Sequence, residues 1–186
     1  MPEKVLIENC SPTLAGIKTA SLVNLQWEDS AQVMREMREM NQVFGGKGLR
    51  AVPLRSRKGC TLLYLYRPDR LGTDLKDERA QKCLGQLGYP CGSTEECVAY
   101  LAKRLQLSQD FPHEIGFFLG YPPEDVIGFM EHRDRGCKCV GTWRVYGDES
   151  AARKTFRKFR KCTDVYEKCW SSGRSILDLT VRGKQF

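Results

Sequence analysis

The chain has only two imidazoles, His113 and His132, among its 186 residues, so chemistry that needs a ring titrating near neutral pH has two places to occur. Its longest apolar runs, Thr61–Tyr66 and Ile115–Leu119, fall far short of the roughly 20 residues that span a bilayer, and no membrane association is expected. The opening Met1-Pro2-Glu3-Lys4 lacks the apolar centre of an export signal. No Cys-x-x-Cys pair occurs, which removes a thioredoxin-type redox couple and a standard zinc knuckle. A Gly-x-Gly-x-x-Gly fingerprint is also missing. Gly45-Gly46-Lys47-Gly48 has neither the upstream glycine nor the following Ser or Thr of a phosphate-binding P-loop. His113-Glu114 meets Phe117 where a zincin helix needs its second histidine.

What is present fits one core. Hydrophobic residues make up 41% of the chain and charged residues 28%, a balance that requires no disordered segment. The nine cysteines are an odd number without an export signal, which argues for reduced thiols and a cytoplasmic location. Cys83, Cys97 and Cys162 fall on or beside apolar helical faces, where a thiol packs as a small hydrophobe. The net charge of +7 favours an acidic or phosphate-bearing partner without naming one.

Local signals divide the chain. Ser11 and Pro12 have the types of an N-cap and first helical residue, which predicts a helix to about Leu22. A second follows Asp29-Ser30, with Val33, Met37, Met40 and Phe44 on one face and Gly45-Gly46 as its stop. Leu49–Arg55 and Cys60–Arg67 read as a hairpin turning at Arg57-Lys58-Gly59, with Pro53 marking an edge strand. Further helices are expected from Thr73 or Asp74 to near Gly88, and after Ser93, whose spacing to Glu96 suits a capping box. A strand Ile115–Leu119, a helix from Pro122 or Pro123 to His132, and a strand Cys139–Tyr146 form the central block. Glu124 and Asp125 fall in that helix's first turn, where its dipole favours acids. The last long helix spans about Glu149–Ser171, its inward stripe Ala152, Phe156, Phe159, Thr163, Tyr166 and Trp170. Ile176–Val181 reads as a closing edge strand. The expected fold is α+β, a single domain over residues 1–186 with helices on a mixed, four- to five-stranded sheet.

Three groups of residues carry candidate chemistry. Cys10, placed before a helix N-terminus, would have its thiolate favoured by the dipole. With His113 before a strand and Asp148 after one, the order Cys, His, Asp resembles that of papain-like hydrolases, although no glutamine for an oxyanion hole stands upstream. His113 alone, between Pro112 and Glu114, has the simpler reading of a ring bonded to backbone. Cys137 and Cys139 are spaced to share a metal, with His132 as a further donor, but a tetrahedral site needs more ligands than these. Arg153, Lys154, Arg157, Lys158, Arg160 and Lys161 form a basic face on the last helix. A solvated surface explains that face, and nucleic acid is disfavoured because no exposed aromatic platform accompanies it.

Cys10–Lys18 (CSPTLAGIK), Leu63–Pro68 (LYLYRP), Phe111–Phe129 (FPHEIGFFLGYPPEDVIGF), Cys139–Gly147 (CVGTWRVYG) and Lys161–Thr163 (KCT) together resemble an uncharacterised family of anaerobic Gram-positive bacteria, defined only as a domain of unknown function. The resemblance covers nearly the whole chain. It implies a gene neighbourhood of flavodoxins and ferrous-iron uptake, and through that an accessory role in iron or redox metabolism. The basic helix would then dock an acidic partner such as a flavodoxin. The competing readings are a cysteine-dependent hydrolase or transferase using Cys10 and His113, and a protein- or nucleic-acid-binding module.

Overall fold

A strand that is apolar at almost every position is stable only where both of its faces are covered, and Cys60–Tyr66 is such a strand, buried at six consecutive positions. The computed structural model describes residues 1–27, 29–90, 92–108 and 110–183. Their elements run α1 (Glu3–Leu14), β1 (Ala20–Gln26), α2 (Ser30–Gly45), β2 (Arg50–Arg57), β3 (Cys60–Tyr66), α3 (Pro68–Asp74) and α4 (Glu78–Gln86). The chain continues through α5 (Thr94–Leu107), α6 (Ile115–Phe118), α7 (Pro123–His132), β4 (Cys139–Val140), β5 (Arg144–Val145), α8 (Glu149–Ser171) and α9 (Ile176–Leu179). β3 lies between β1 and β2, antiparallel to both. The β2–β3 turn places Lys58 and Gly59 at positive φ, the two-residue geometry whose twist suits a hairpin. Pro53 sits on the edge strand beside a shift in register, where no ladder partner misses its N–H.

The two faces of β3 feed two cores. Leu63 and Leu65 join Leu6, Ile7, Met40 and Phe44 under α1 and α2. Leu62, Tyr64 and Tyr66 join Leu71, Leu101, Ile115 and Phe118 under α3 to α7. α2 buries Val33, Met37, Met40 and Phe44, as their spacing requires, and Asp29 caps it through the Gln32 N–H. The capping box of Ser93 and Glu96 opens α5. Eight cysteines fall among the described residues, and Cys10, Cys60, Cys83, Cys137, Cys139, Cys162 and Cys169 are free thiols; Cys91 lies outside them. Among the described residues no helix is long and apolar enough to cross a membrane.

The fold is α+β, but its sheet has three strands, with β4 and β5 forming a separate pair, instead of one mixed sheet of four or five. Three expected strands account for the difference. Ile115–Leu119 is the short helix α6 and its following turn; a five-residue apolar run between Pro112 and Gly120 has no period, and burial suits a helical turn as well as a strand. Its last helical carbonyl, Phe118 O, accepts from the buried Tyr64 hydroxyl at 2.6 Å. Cys139–Tyr146 folds back on itself at Gly141 to Trp143, pairing Cys139 with Val145. Ile176–Val181 begins as α9, capped by Ser175, and ends with Val181 N–H on Leu14 O.

The first helix is also displaced. It starts at Glu3 and carries Pro12 inside its last turn, because Leu6, Ile7, Cys10 and Leu14 supply the apolar face and the helix stops two residues after the proline. The residues expected to finish that helix, 20 to 22, are in β1. Likewise α3 starts at Pro68, and the segment expected as one helix to Gly88 is divided by Asp77, which caps α4. Along α8 only Ala152 is fully buried. Phe156, Phe159, Thr163, Tyr166 and Trp170 are half-buried, because only the C-terminal part of the stripe packs on the core, through Tyr166, Cys169 and Trp170.

One side chain joins the ends of these pieces. Arg67, 3% exposed, donates to Thr13 O, Leu14 O and Val181 O at 2.7 Å each. Its fork thus caps the exposed carbonyls of α1 and pins the segment after α9. Arg67→Met is expected to lower stability by about 3 kcal/mol or more, since bonds to a charged donor contribute roughly 1.5–3 kcal/mol each. Arg67→Lys should restore only part of that, because an ammonium cannot reproduce the fork. Urea unfolding midpoints measure both, and an unchanged midpoint for Arg67→Met would contradict the assignment.

Candidate functional site

The site is built around Trp143, at the tip of the β4–β5 hairpin. Gly120 ends α6 at a φ of 71°, and a Cβ there would strike the Thr19 side chain, so only glycine turns the chain from α6 toward α7. In the first turn of α7, Asp125 does not face solvent. It is 3% exposed and its carboxylate accepts from Trp143 Nε1 at 2.6 Å and from the Tyr146 and Gly147 N–H groups at 2.7 Å. This anchors the hairpin on α7. Trp143 then stacks on Tyr121 with ring centres 4.8 Å apart and meets the edge of Phe156 from α8 at 4.6 Å. The result is an aromatic wall with a cavity on either side.

On one side is an apolar pocket of about 220 Å³, lined by Phe111, His113, Val126 and Phe129 together with Tyr121 and Trp143. His113 stands edge-on to Phe129 at 5.0 Å. Its Nε2 receives the Arg133 Nη1–H. A guanidinium only donates, so this bond requires the neutral ring with Nε2 free to accept. Burial first, and then the Arg133 charge, hold His113 below the ordinary imidazole value. Arg133 itself closes α7 at a φ of 54°, a left-handed backbone that a residue with a Cβ adopts at a cost. The bond to His113 and one from the Tyr146 hydroxyl to the Arg133 carbonyl hold it there.

On the other side lies a basic cleft. Its larger part, about 570 Å³, is lined by Lys18, Arg153, Phe156, Arg157, Phe159 and Arg160 among others. A smaller cavity of about 220 Å³ shares Lys18 and Phe159 with it and adds Asp74 and Asp148. Lys18 sits at their junction, half-buried, its Nζ 5.6 Å from the Tyr121 ring centre and 6.0 Å from that of Phe159. Among the described residues it makes no ion pair. Burial pushes its amine down to about 8. Among the described residues only Arg153 of the three arginines makes an ion pair, with Glu149 at 2.7 Å.

The residues singled out in the sequence are distributed differently from the expected constellations. Cys10 lies near the C-terminal end of α1, not before a helix N-terminus, so the dipole no longer favours its thiolate. It is fully buried, burial pushes its thiol up to about 12, and its polar neighbours are Lys18 and Ser21. His113 instead packs on Phe129 and Arg133, and the structure does not bring the two into contact. Asp148 caps α8 through the Ala151 N–H at 3.0 Å and shares a cavity with Lys18, not with His113.

Cys137 and Cys139 flank Lys138 at the start of the small hairpin, half-buried, the first beside Tyr146 and the second beside Arg153. His132 is exposed, its Nε2 3.7 Å from Glu131. Among the described residues no group of three His, Cys, Asp or Glu side chains is placed to hold a metal ion. The donor set does not fit a tetrahedral centre.

A family model matches residues 6–180, nearly all of the chain just described. The chain belongs to the family described as protein of unknown function, DUF3793. No curated protein and no solved structure matches it. In this DUF3793 chain the central site residues carry weak sequence signals. Lys18 is the only charge between Thr13 and Val23, the one hint that it serves something other than solubility. Asp125 reads as an ordinary first-turn acid until the hairpin is seen folded onto it.

Two measurements check this geometry. Asp125→Ala strips three half-buried donors of their acceptor, and should cost about 3 kcal/mol in urea unfolding with a red shift of Trp143 emission. An unaltered spectrum would mean the hairpin is held by something else. For His113 the lowered pKa means that the folded chain binds fewer protons than the unfolded one. Its contribution is therefore complete above about pH 6.5 and drains as pH falls through that value. His113→Gln should lose less stability between pH 7 and pH 5 than the parent does, and equal losses would contradict the assignment.

Proposed function

We propose that the chain binds a small phosphate- or carboxylate-bearing ligand in the cleft between α8, the α1–β1 loop and the β4–β5 hairpin. The observation that carries this reading is the sorting of cations on α8. Arg153, Arg157 and Arg160 line the cleft, while Lys154, Lys158 and Lys161 do not. At about 100° per residue the arginines fall within roughly 60° of one another and the lysines about 100° further round. Arginine presents a planar fork that matches phosphate and carboxylate oxygens, whereas lysine on a solvated face chiefly supplies charge. The volume falls in the range of cofactor and metabolite pockets, and Phe156 and Phe159 give a planar group a wall to lie against. Asp164, at the far end of the lining, offsets one of the positive charges.

The same helix accommodates the partner expected from its charge. Its lysine side is exposed and would meet an acidic protein such as a flavodoxin, which keeps a role in iron or redox metabolism compatible with ligand binding on the arginine side. Free thiols such as Cys60, Cys139 and Cys169 suit a reducing cytoplasm.

Titration calorimetry with inorganic pyrophosphate and with ADP tests the reading. Each of Arg157→Ala and Arg160→Ala should weaken binding about tenfold, near 1.4 kcal/mol. Lys154→Glu and Lys158→Glu should change it by less than about threefold once salt screens the remote charges. If reversing the lysines costs as much as removing the arginines, the helix attracts anions by net charge alone and the cleft is not a site.

A further inference from the structure

We infer that Lys18 is a covalent anchor in this cleft, its Nζ condensing with the carbonyl carbon of a phosphorylated aldehyde or ketone to form an imine. The inference rests on the anionic-ligand reading and adds to it the chemistry of the ligand. Three features of the placement lead to it. The first is rigidity. Lys18 N–H and Ile17 N–H both bond to Pro12 O, Arg70 holds Gly16 O at 2.6 Å, and Thr19 donates to Asp74. The lysine backbone is thus fixed on both sides, as a nucleophile aimed at a bound carbonyl must be.

The second is the surroundings of the amine. It projects between the faces of Tyr121 and Phe159 at the junction of the two cavities, with no ion pair among the described residues. A cation needed only to hold an anion would be poorly placed there, and three arginines already serve that purpose. Burial pushes the amine down to about 8, well below an ordinary lysine. Desolvated lysines of this kind are the ones that attack carbonyls. Cys10, the neighbouring nucleophile, is buried with its thiol pushed up to about 12 and stays inert.

The third is a proton source. Asp74 lines the smaller cavity with Lys18, and burial raises its carboxyl above the usual value. The lone pair of Nζ attacks the carbonyl carbon, a C–N bond forms as the C=O π bond breaks, and one of the two Nζ protons passes to the oxygen to give a carbinolamine. Asp74 protonates the hydroxyl, which departs as water, and the proton shed by nitrogen returns to the carboxylate. One water leaves, a C=N bond remains, and nothing is oxidised or reduced.

Pyridoxal 5′-phosphate and its alcohol, pyridoxine 5′-phosphate, are suitable probes. The full chain is incubated with each, reduced with borohydride, digested and mapped by mass spectrometry, and alcohol binding is measured by calorimetry. The expected result is one dominant reduced adduct, on Lys18, formed by the aldehyde only. Lys18→Arg should abolish that adduct, since a guanidinium does not condense with the carbonyl; its melting temperature checks folding. Label scattered over the surface lysines overturns the inference. So does binding of the alcohol without reaction at Lys18, and in that case the anionic-ligand reading stands. If neither probe binds, both fall. The mapping of the parent protein decides the matter even if Lys18→Arg does not fold.

Discussion

Arg67 is a buried cation held by carbonyls. Leaving a guanidinium out of water is costly unless its donors are used, and here they are spent on the end of α1 and on the segment following α9, with a longer contact to Lys47 O at 3.4 Å. The consequence reaches the site. A helix that ends in four unpaired carbonyls normally frays, and the loop after it moves. By capping α1, Arg67 fixes the start of the loop that carries Lys18, while Gly16, at a φ of 70°, turns the chain directly over the guanidinium. The position of the lysine is therefore set by the central strand of the sheet, since Arg67 directly follows β3.

α8 takes part in two different environments along its length. Its C-terminal half packs Tyr166, Cys169 and Trp170 on the core beneath α1. Its N-terminal half offers Phe156 to Trp143 and Phe159 to Lys18. A 23-residue helix gripped at one end by a core can hold the other end rigidly over a cavity, which is why the arginines keep a defined relation to the lysine across the cleft. The aromatic stripe that periodicity assigns to the core is half core and half wall.

How much of this could be read from residues follows from how local each signal is. α2, α5, α7 and α8 were legible because caps and periodic faces lie within a few residues of the helices they define, and the hairpin because Lys58-Gly59 and Pro53 constrain their own backbone. The misread elements are those decided at a distance. Ile115–Leu119 became a helical turn where its Phe118 carbonyl meets Tyr64, and α1 ends at Leu14, where Arg67 caps the Thr13 and Leu14 carbonyls. The site was partly legible: His113 stood out as a scarce ring beside a dense run of glycines and prolines, and it does line a pocket. The cysteines drew attention by their chemistry, whereas their burial was invisible. Lys18 drew none, because what distinguishes it is the aromatic faces of Tyr121 and Phe159, each more than a hundred residues away.

The two cavities are not independent. The indole of Trp143 forms part of the lining of the apolar pocket and of the smaller cavity beside Lys18, and Asp125 lines both as well. Interiors this closely packed shift between discrete arrangements rather than yield gradually. A displacement of Trp143 from the apolar side would have to move its stacked partner Tyr121, over which the Lys18 ammonium lies, and Phe156, which walls the arginine cleft. Arg133 adds to this constraint, since its costly backbone is held only while His113 stays neutral and Tyr146 stays docked. The hairpin that carries Trp143 is thus tied to the histidine through Tyr146 and Arg133, and to the lysine through Tyr121. Filling the His113 pocket and filling the Lys18 cleft are two ways of acting on the same ring.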